Sequence, residues 1–484
     1  MKTSFERFVA LLLVFLFLMT PVWATCGGGG GGGGGGMSGG GGGVSDANPV
    51  VYHVPWKIMK EGEAVKEGLI LYWFPANKEE IGKSPLKESR VLSLYASQCT
   101  TMQIADGRTP NADKLVGESK LPVTVLATPD AAVIGKVENK DGKIKIADVE
   151  KMVSDEYKKR ETSFDTGFKE AKAKATAGDS EGAVKLYQSA LADKCMFPKK
   201  AKDAEKELKK LGVDATIDVA PAPIFDARQS ALIVQTMKRG LVAENRAQYV
   251  LAGQLYTKAH LMDPADPTPL RYLGELYRHD IGDWAKARAY FDQILAMPAD
   301  PLSRGVALHG LGKMTIHEGE FKKGLGLMEE AAEVYPLALT YRNLAVYWNS
   351  EGDLSKGNFY TEKALAMDPT DPYNLVFAAV FMAANGKSDE AVKIARANMN
   401  LLPASYNLAA IFAQAGHKKE ALALLKRHFY QYERYQSVRA KEMMEARVDM
   451  MFDSLRGDKG FMALTNGADG RLPMPMKQMS GMNN

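Results

Sequence analysis

Cysteine is scarce: Cys26, Cys99 and Cys195 are the three in 484 residues. That count excludes a disulfide framework and leaves two outcomes open, one pair with a leftover thiol or no pair at all. No CxxC, HExxH or CxxCH string occurs, which removes the signatures of dithiol, zinc-hydrolase and c-type haem chemistry. No glycine loop runs into Lys-Ser/Thr after a strand, so a phosphate-cradling loop is missing too. The seven histidines are scattered, and His309 and His317 stand two helical turns apart, too wide for one metal ion. We therefore expect no catalytic residue, no cofactor and no metal. A strong excess of one charge is also lacking. The net charge of +4 is too weak to attract nucleic acid. The basic stretches at 199–202 and 206–210 are helical and interspersed with acids, as on a solvated face.

One long apolar run is present, at the N-terminus. Lys2 and Arg7 precede an apolar core at 8–19, Pro21 breaks it, and Val22-Trp23-Ala24 resembles a signal-peptidase site. The run is shorter than the roughly 18 residues of a spanning helix. Residues 1–24 are thus read as a signal peptide, and the mature chain as exported to a periplasm, an outer envelope or the medium. Cys26 follows directly and leaves two fates open, simple secretion or lipidation. Bacterial lipoproteins carry an aliphatic residue at −3 and a small one at −1, where this chain has Trp23 and Thr25. Membrane contact is expected only through such a lipid. Glycines at 27–36 and 39–43 make 25–49 a spacer that cannot bury apolar surface, with a reach of about 25 Å.

Residues 50–161 read as a small α/β unit. Gly68-Leu69-Ile70-Leu71-Tyr72-Trp73-Phe74 is the unbroken apolar run of a strand buried on both faces. A helix is expected over 84–96 and strands over 99–106 and 122–128. A hairpin over 133–144 turns at Asn139-Lys140-Asp141-Gly142. A closing helix spans 146–160. This order, with Leu121-Pro122 before the third core strand, resembles the thioredoxin fold. The resemblance implies a cis Leu121–Pro122 bond. Where redox-active members carry CxxC, this chain has Phe74-Pro75-Ala76-Asn77-Lys78, so the resemblance implies a unit without dithiol chemistry. Cys99, at the next strand, is expected to be structural and buried.

Residues 162–212 contain a helical hairpin (164–191) and a charged helix opened by Pro198. Ala220-Pro221-Ala222-Pro223 marks a linker over 213–226. From 227 to 427 one frame recurs. It reads Leu311-Gly312, Thr315, Gly319, Gly324, Ala331 and Pro336. One repeat later it reads Leu344-Ala345, Trp348, Gly352, Gly357, Ala364 and Pro369. It recurs again around Gly386, and less completely around Gly416, Gly282 and the segment ending at Pro264. The second unit has one extra residue in its turn. A spacing of about 34 residues in this frame resembles the tetratricopeptide repeat (TPR). The fold class expected is thus α plus α/β: a TPR-type α-solenoid after a small thioredoxin-like unit. Small residues would let paired helices cross closely, and aromatics would fill the gaps between repeats. A long helix over 428–455 opens a cap at 428–465. The tail, 466–484, carries Met474, Met476, Met479 and Met482, soft copper ligands in principle. With no histidine or cysteine beside them, a plain disordered tail is expected.

The resemblance also implies a groove lined by the first helix of each repeat. Its positions here are Arg271, Glu275, Arg278, His309, Lys313, His317, Arg342, Val346 and Asn349, then Tyr373, Val380, Tyr406 and Gln414. The basic and polar part, with Arg271, Lys313 and Arg342, would take an extended peptide through a carboxylate. The function expected is an exported, non-enzymatic adaptor for a protein or peptide partner in the cell envelope, with no nucleic acid. Two rivals are a thiol-dependent oxidoreductase or chaperone using Cys99 or Cys195, and a self-associating structural subunit of an extracellular assembly.

Overall fold

The structure, a computed structural model, describes residues 51–466 except 59–64, 66, 108–111, 192–193, 215–222, 224 and 434–435. The signal peptide at 1–24, Cys26, the glycine spacer, most of the 213–226 linker and the tail from 467 lie outside the described residues.

The N-terminal unit is built on strand β2 (Leu69–Phe74), buried along its whole length. Its side chains alternate between two layers, as a strand's must. Leu69, Leu71 and Trp73 enter one core, and Ile70, Tyr72 and Phe74 the other. Parallel to it runs β3 (Thr100–Ile104), which also pairs in parallel with the short β1 (Lys57–Ile58). On its other side β4 (Val123–Ala127) and β5 (Val133–Glu138) are antiparallel, giving the order β1-β3-β2-β4-β5. The Leu121–Pro122 bond is cis. Two details differ from the sequence reading. Residues 133–138 pair back onto β4, while 139–144 keep a single Lys140–Lys143 bridge. The helix expected over 84–96 is split, because Ser84 and Ser89 each cap a new start. Helix α1 (Lys78–Lys83) precedes a 3-10 turn at Pro85–Lys87, and α2 is Arg90–Ser97. A further short helix, α3, covers Asp113–Val116.

Helix α4 (Ile146–Thr176) runs unbroken through the boundary placed at 161/162. Its first half packs on the sheet through Val149, Val153 and Tyr157. Its second half forms the hairpin with α5 (Ser180–Ala190), and α6 (Pro198–Lys210) follows. A disulfide joins Cys99, at the start of β3, to Cys195, between α5 and α6, with Cα atoms 5.9 Å apart. It settles the pairing left open above, and Cys26 lies outside the described residues.

The array consists of six helix pairs: α7 (Ala227–Asn245) with α8 (Tyr249–Met262), α9 (Pro267–Glu275) with α10 (Trp284–Ala296), and α11 (Pro301–His317) with α12 (Phe321–Val334). Then come α13 (Ala338–Ser350) with α14 (Leu354–Met367), α15 (Pro372–Ala384) with α16 (Ser388–Ala397), and α17 (Ser405–Gln414) with α18 (Lys418–Arg427). The starts follow local chemistry. Asp266, Asp300 and Asp371 each accept a hydrogen bond from the first turn of the helix they precede, and a proline takes its first position. That combination satisfies free N–H groups and presets φ. Between helices, Gly352 sits at φ 82°, a left-handed conformation that favours glycine. The extra residue of the second unit is absorbed by a π-helical turn over Leu276–Ile281, the usual way a helix accommodates an insertion. Phe291 fills the gap between units. A Cβ on Gly274 or Gly310 would lie 2.3 or 2.4 Å from its ring, so the two glycines open its slot.

The expected long helix over 428–455 is broken. A π turn at His428–Tyr432 leads to α19 (Gln436–Val448), a 3-10 turn at Met450–Leu455 and α20 (Lys459–Thr465). Phe452, Leu455, Phe461 and Leu464 are buried against the last pair, so the segment still covers the final apolar face.

Candidate functional site: the inner row of the array

First helices pack side by side between the second and third, fourth and fifth, and fifth and sixth pairs, and the first helices with the π turn after α9 carry the residues expected to line a groove. Arg271 and Glu275 lie on α9 and Arg278 in the π turn. His309 and Lys313 are on α11, and Arg342 and Asn349 on α13. Sequence reasoning placed these side chains in an open cleft. Here all seven are buried, between 1% and 8% exposed. Neighbouring units pack around them, and segments from both ends of the chain add to the cover.

At the N-terminal end Val51 and Tyr52 join the apolar core of the first three pairs. The Tyr52 hydroxyl donates to Asp266 at 2.7 Å, and the Tyr335 hydroxyl donates to the carbonyl of Trp56 at 3.3 Å. Burial, followed by the charge of Arg271, pushes His53 down to about 4. Arg271 itself lies against the Tyr272 ring, 5.6 Å from its centroid, and its Nε and Nη1 have no hydrogen-bond partner among the described residues. From α2, Arg90 enters the same region. It donates to Asp266 at 3.2 Å, to Ser230 at 2.5 Å and to Asp263.

In the middle, Arg278 grips Glu275 with two hydrogen bonds of 3.0 and 2.7 Å. Burial alone would raise Glu275, yet the arginine overrides it and holds the carboxyl below its usual range. His309 lies 3.0 Å (Nδ1) from Thr340 Oγ1 and 3.3 Å (Nε2) from the Asn343 amide. Burial, then Arg278, pushes it down to about 3; it is a neutral link between α11 and α13. Arg342 donates to Asn374 at 2.6 Å and Asp371 at 3.2 Å and stacks near Tyr373 and Phe377. It is a strut between units, so its replacement perturbs packing as well as any ligand.

The C-terminal segment closes the other side. His317 Nδ1 is 2.6 Å from Glu445, and His428 Nε2 is 2.8 Å from Glu442. The Tyr432 hydroxyl is 3.3 Å from His279. Glu433 is pushed up to about 7, by burial first and Glu442 second. At the far end Tyr406 donates to Asp449 at 2.9 Å and Gln414 to the Val380 carbonyl at 3.3 Å. Among the described residues no group of three or more His, Cys, Asp or Glu is disposed to hold a metal ion.

One carboxylate escaped the sequence reading because its partner lies on the next helix. Glu244 is buried and accepts from Tyr256 at 2.6 Å. Burial, then Asp280, raises it to about 8. A carboxyl raised in the folded state costs nothing below the unfolded value, and its penalty grows as pH rises until the folded value is passed. We expect Glu244→Gln to match the parent at pH 4. Urea melts should then show the variant gaining by about 1 kcal/mol per pH unit from pH 5 to 8. Equal melts at pH 8 would refute this.

Residues 270–305, which include most of the second pair and the start of α11, match the family model for a tetratricopeptide repeat. A curated relative, "Protein CTR9 homolog" of Arabidopsis thaliana, is 26% identical over 174 residues, 28% of this chain. The chain spans 16% of that protein's length. Among solved structures, a tetratricopeptide repeat protein from Parabacteroides merdae is 13% identical with a TM-score of 0.33, over 60% of this chain and 99% of that one. A chain of the APC/C hetero-tetramer Cut9-Hcn1 is similar at 14% identity and TM-score 0.32, over 62% of this chain and 75% of that one.

Proposed function

We propose that this tetratricopeptide-repeat chain is a non-enzymatic scaffold that holds protein partners on its helical array, exported and working in an oxidising compartment. The observation that carries it is the stack of helix pairs itself, a large surface on a rigid frame. The second helices offer exposed apolar anchors, among them Leu354 and Phe359 on α14, 54% and 49% exposed. The Cys99–Cys195 disulfide supports export, since such bonds persist outside reducing compartments. The strand order and the cysteine-free stretch after β2 support a thioredoxin-like unit without dithiol chemistry. Cys99 sits beside Gly68 at the start of the parallel strands, the opposite edge from Asn77, which caps the helix after β2.

The test is photo-crosslinking in intact cells from residues placed at 354 and 359. A discrete covalent adduct to another protein is expected, and no adduct from either position would sink the reading. Insulin reduction by the purified chain is expected to show no turnover; turnover lost with Cys99→Ser would favour the oxidoreductase. Mass spectrometry of the mature N-terminus decides between secretion and a lipid on Cys26.

A further inference from the structure

We infer that the middle of the inner row is a receptor site for an acidic helix, and that α19 is its resident, displaceable occupant. This rests on the scaffold reading and names the chemistry of one partner. Three of the seven histidines lie in this row, with Lys313 among them. His279 comes from the π turn, and His309 and His317 from α11, while His428 belongs to the occupant's own segment and meets Glu442 there. The row facing α19 keeps its own carboxylate, Glu275, on Arg278. The facing carboxylates come from the C-terminal segment: Glu433, Glu442 and Glu445.

The face α19 presents is that of a docked helix. Glu442, Met443 and Ala446 are buried and Glu445 nearly so, an i, i+1, i+3, i+4 stripe. Met444 and Val448, on the other side, are 65% and 44% exposed. Glu442 is held below its usual range against burial, by His428 first and Lys313 after it, and Lys313 is also a minor pull on Glu433, which burial and Glu442 still leave raised. Locally α19 is held by His428 and by the turns and short helix on either side of it, while Glu445 reaches His317 across 128 residues of sequence.

Three features make the occupant exchangeable. Much of its hold is polar and buried, through His317–Glu445 and His428–Glu442, and desolvation offsets much of such an attraction. Glu433 is already raised by burial and by Glu442. Glu445 keeps one buried oxygen, Oε2, without a hydrogen-bond partner. A partner helix with two carboxylates one turn apart, flanked by methionine or alanine, reproduces the same contacts in trans.

The test uses the full mature chain and a fluorescent peptide with the sequence of residues 428–456. Glu445→Lys should loosen α19, and anisotropy should show the peptide binding at least tenfold tighter than to the parent. Adding Lys313→Glu should remove that gain. Hydrogen exchange should rise over 436–448 in Glu445→Lys, while α11 and α13 stay protected. Equal affinity for parent and Glu445→Lys, or a gain that survives Lys313→Glu, overturns the inference. If Glu445→Lys loses protection throughout the array, the milder Glu445→Gln decides alone: tighter peptide binding supports the site, and unchanged affinity overturns it. Peptide binding without any crosslinked cellular partner keeps this site and removes the scaffold reading; a crosslinked partner without peptide binding does the reverse.

Discussion

Replacing Arg90 with alanine is expected to cost about 3–5 kcal/mol, because it strands two carboxylates in a buried interface. Asp263 and Asp266 are fully buried, and Arg90 reaches both from the sheet unit. Tyr52, the other group on Asp266, is itself held well above its usual range, by burial and then by that carboxylate. It cannot replace a guanidinium. Asp266 also caps α9 through the Thr268 N–H, so the damage reaches the first repeats. Calorimetry should show the single transition of the parent split in two, the sheet unit melting apart from the array. Arg90→Lys should recover little, since an ammonium lacks the fork that serves Asp266, Ser230 and Asp263 together. In a cycle with Asp263→Asn and Asp266→Asn, the cost of Arg90→Ala should fall by more than half. A loss below about 1 kcal/mol would mean that the interface is wet and the pair ordinary.

That interface marks the limit of what the sequence reveals. The helix pairs were legible because their signals are local: a glycine where φ turns positive, small residues where helices cross, a proline after the second helix. Strand β2 was legible because six apolar residues in a row have few other fates. At 161/162, where the sequence reading set a unit boundary, charged residues continue the helical pattern and α4 runs on. The faces of Arg271, Lys313 and Arg342 followed from the repeat frame. Their burial did not, because exposure depends on what docks. Arg90 and Asp263 are 173 residues apart, and Glu445 and His317 are 128 apart. No periodicity links such positions. The disulfide was equally beyond reach: three cysteines permit several pairings, and only the placement of α5 and α6 beside β3 selects one.

Two glycines on one helix make the second large prediction, with opposite signs for the same substitution. Where α11 and α12 cross, a Cβ on Gly324 would lie 2.5 Å from the Gly312 carbonyl oxygen and 2.8 Å from the Ile316 nitrogen. Both are backbone atoms of the facing helix, so no side chain can swing aside. The helices must separate, opening the contact that buries Leu325 and Met328. Gly324→Ala is therefore expected to cost about 3 kcal/mol, the upper part of the range for overpacking, and Gly324→Leu to abolish a cooperative melt. Two residues on, Gly326 has no atom within 4 Å of its would-be Cβ. There alanine only removes glycine's conformational penalty, and Gly326→Ala should gain about 0.5–1 kcal/mol. Chemical denaturation of both variants measures the difference. If both lose stability alike, the crossing is looser than drawn and the small-residue frame marks helix sequence alone. If they diverge by several kcal/mol, the glycines at 312 and 324 set the distance between the helices that hold His309, Lys313 and His317 in place.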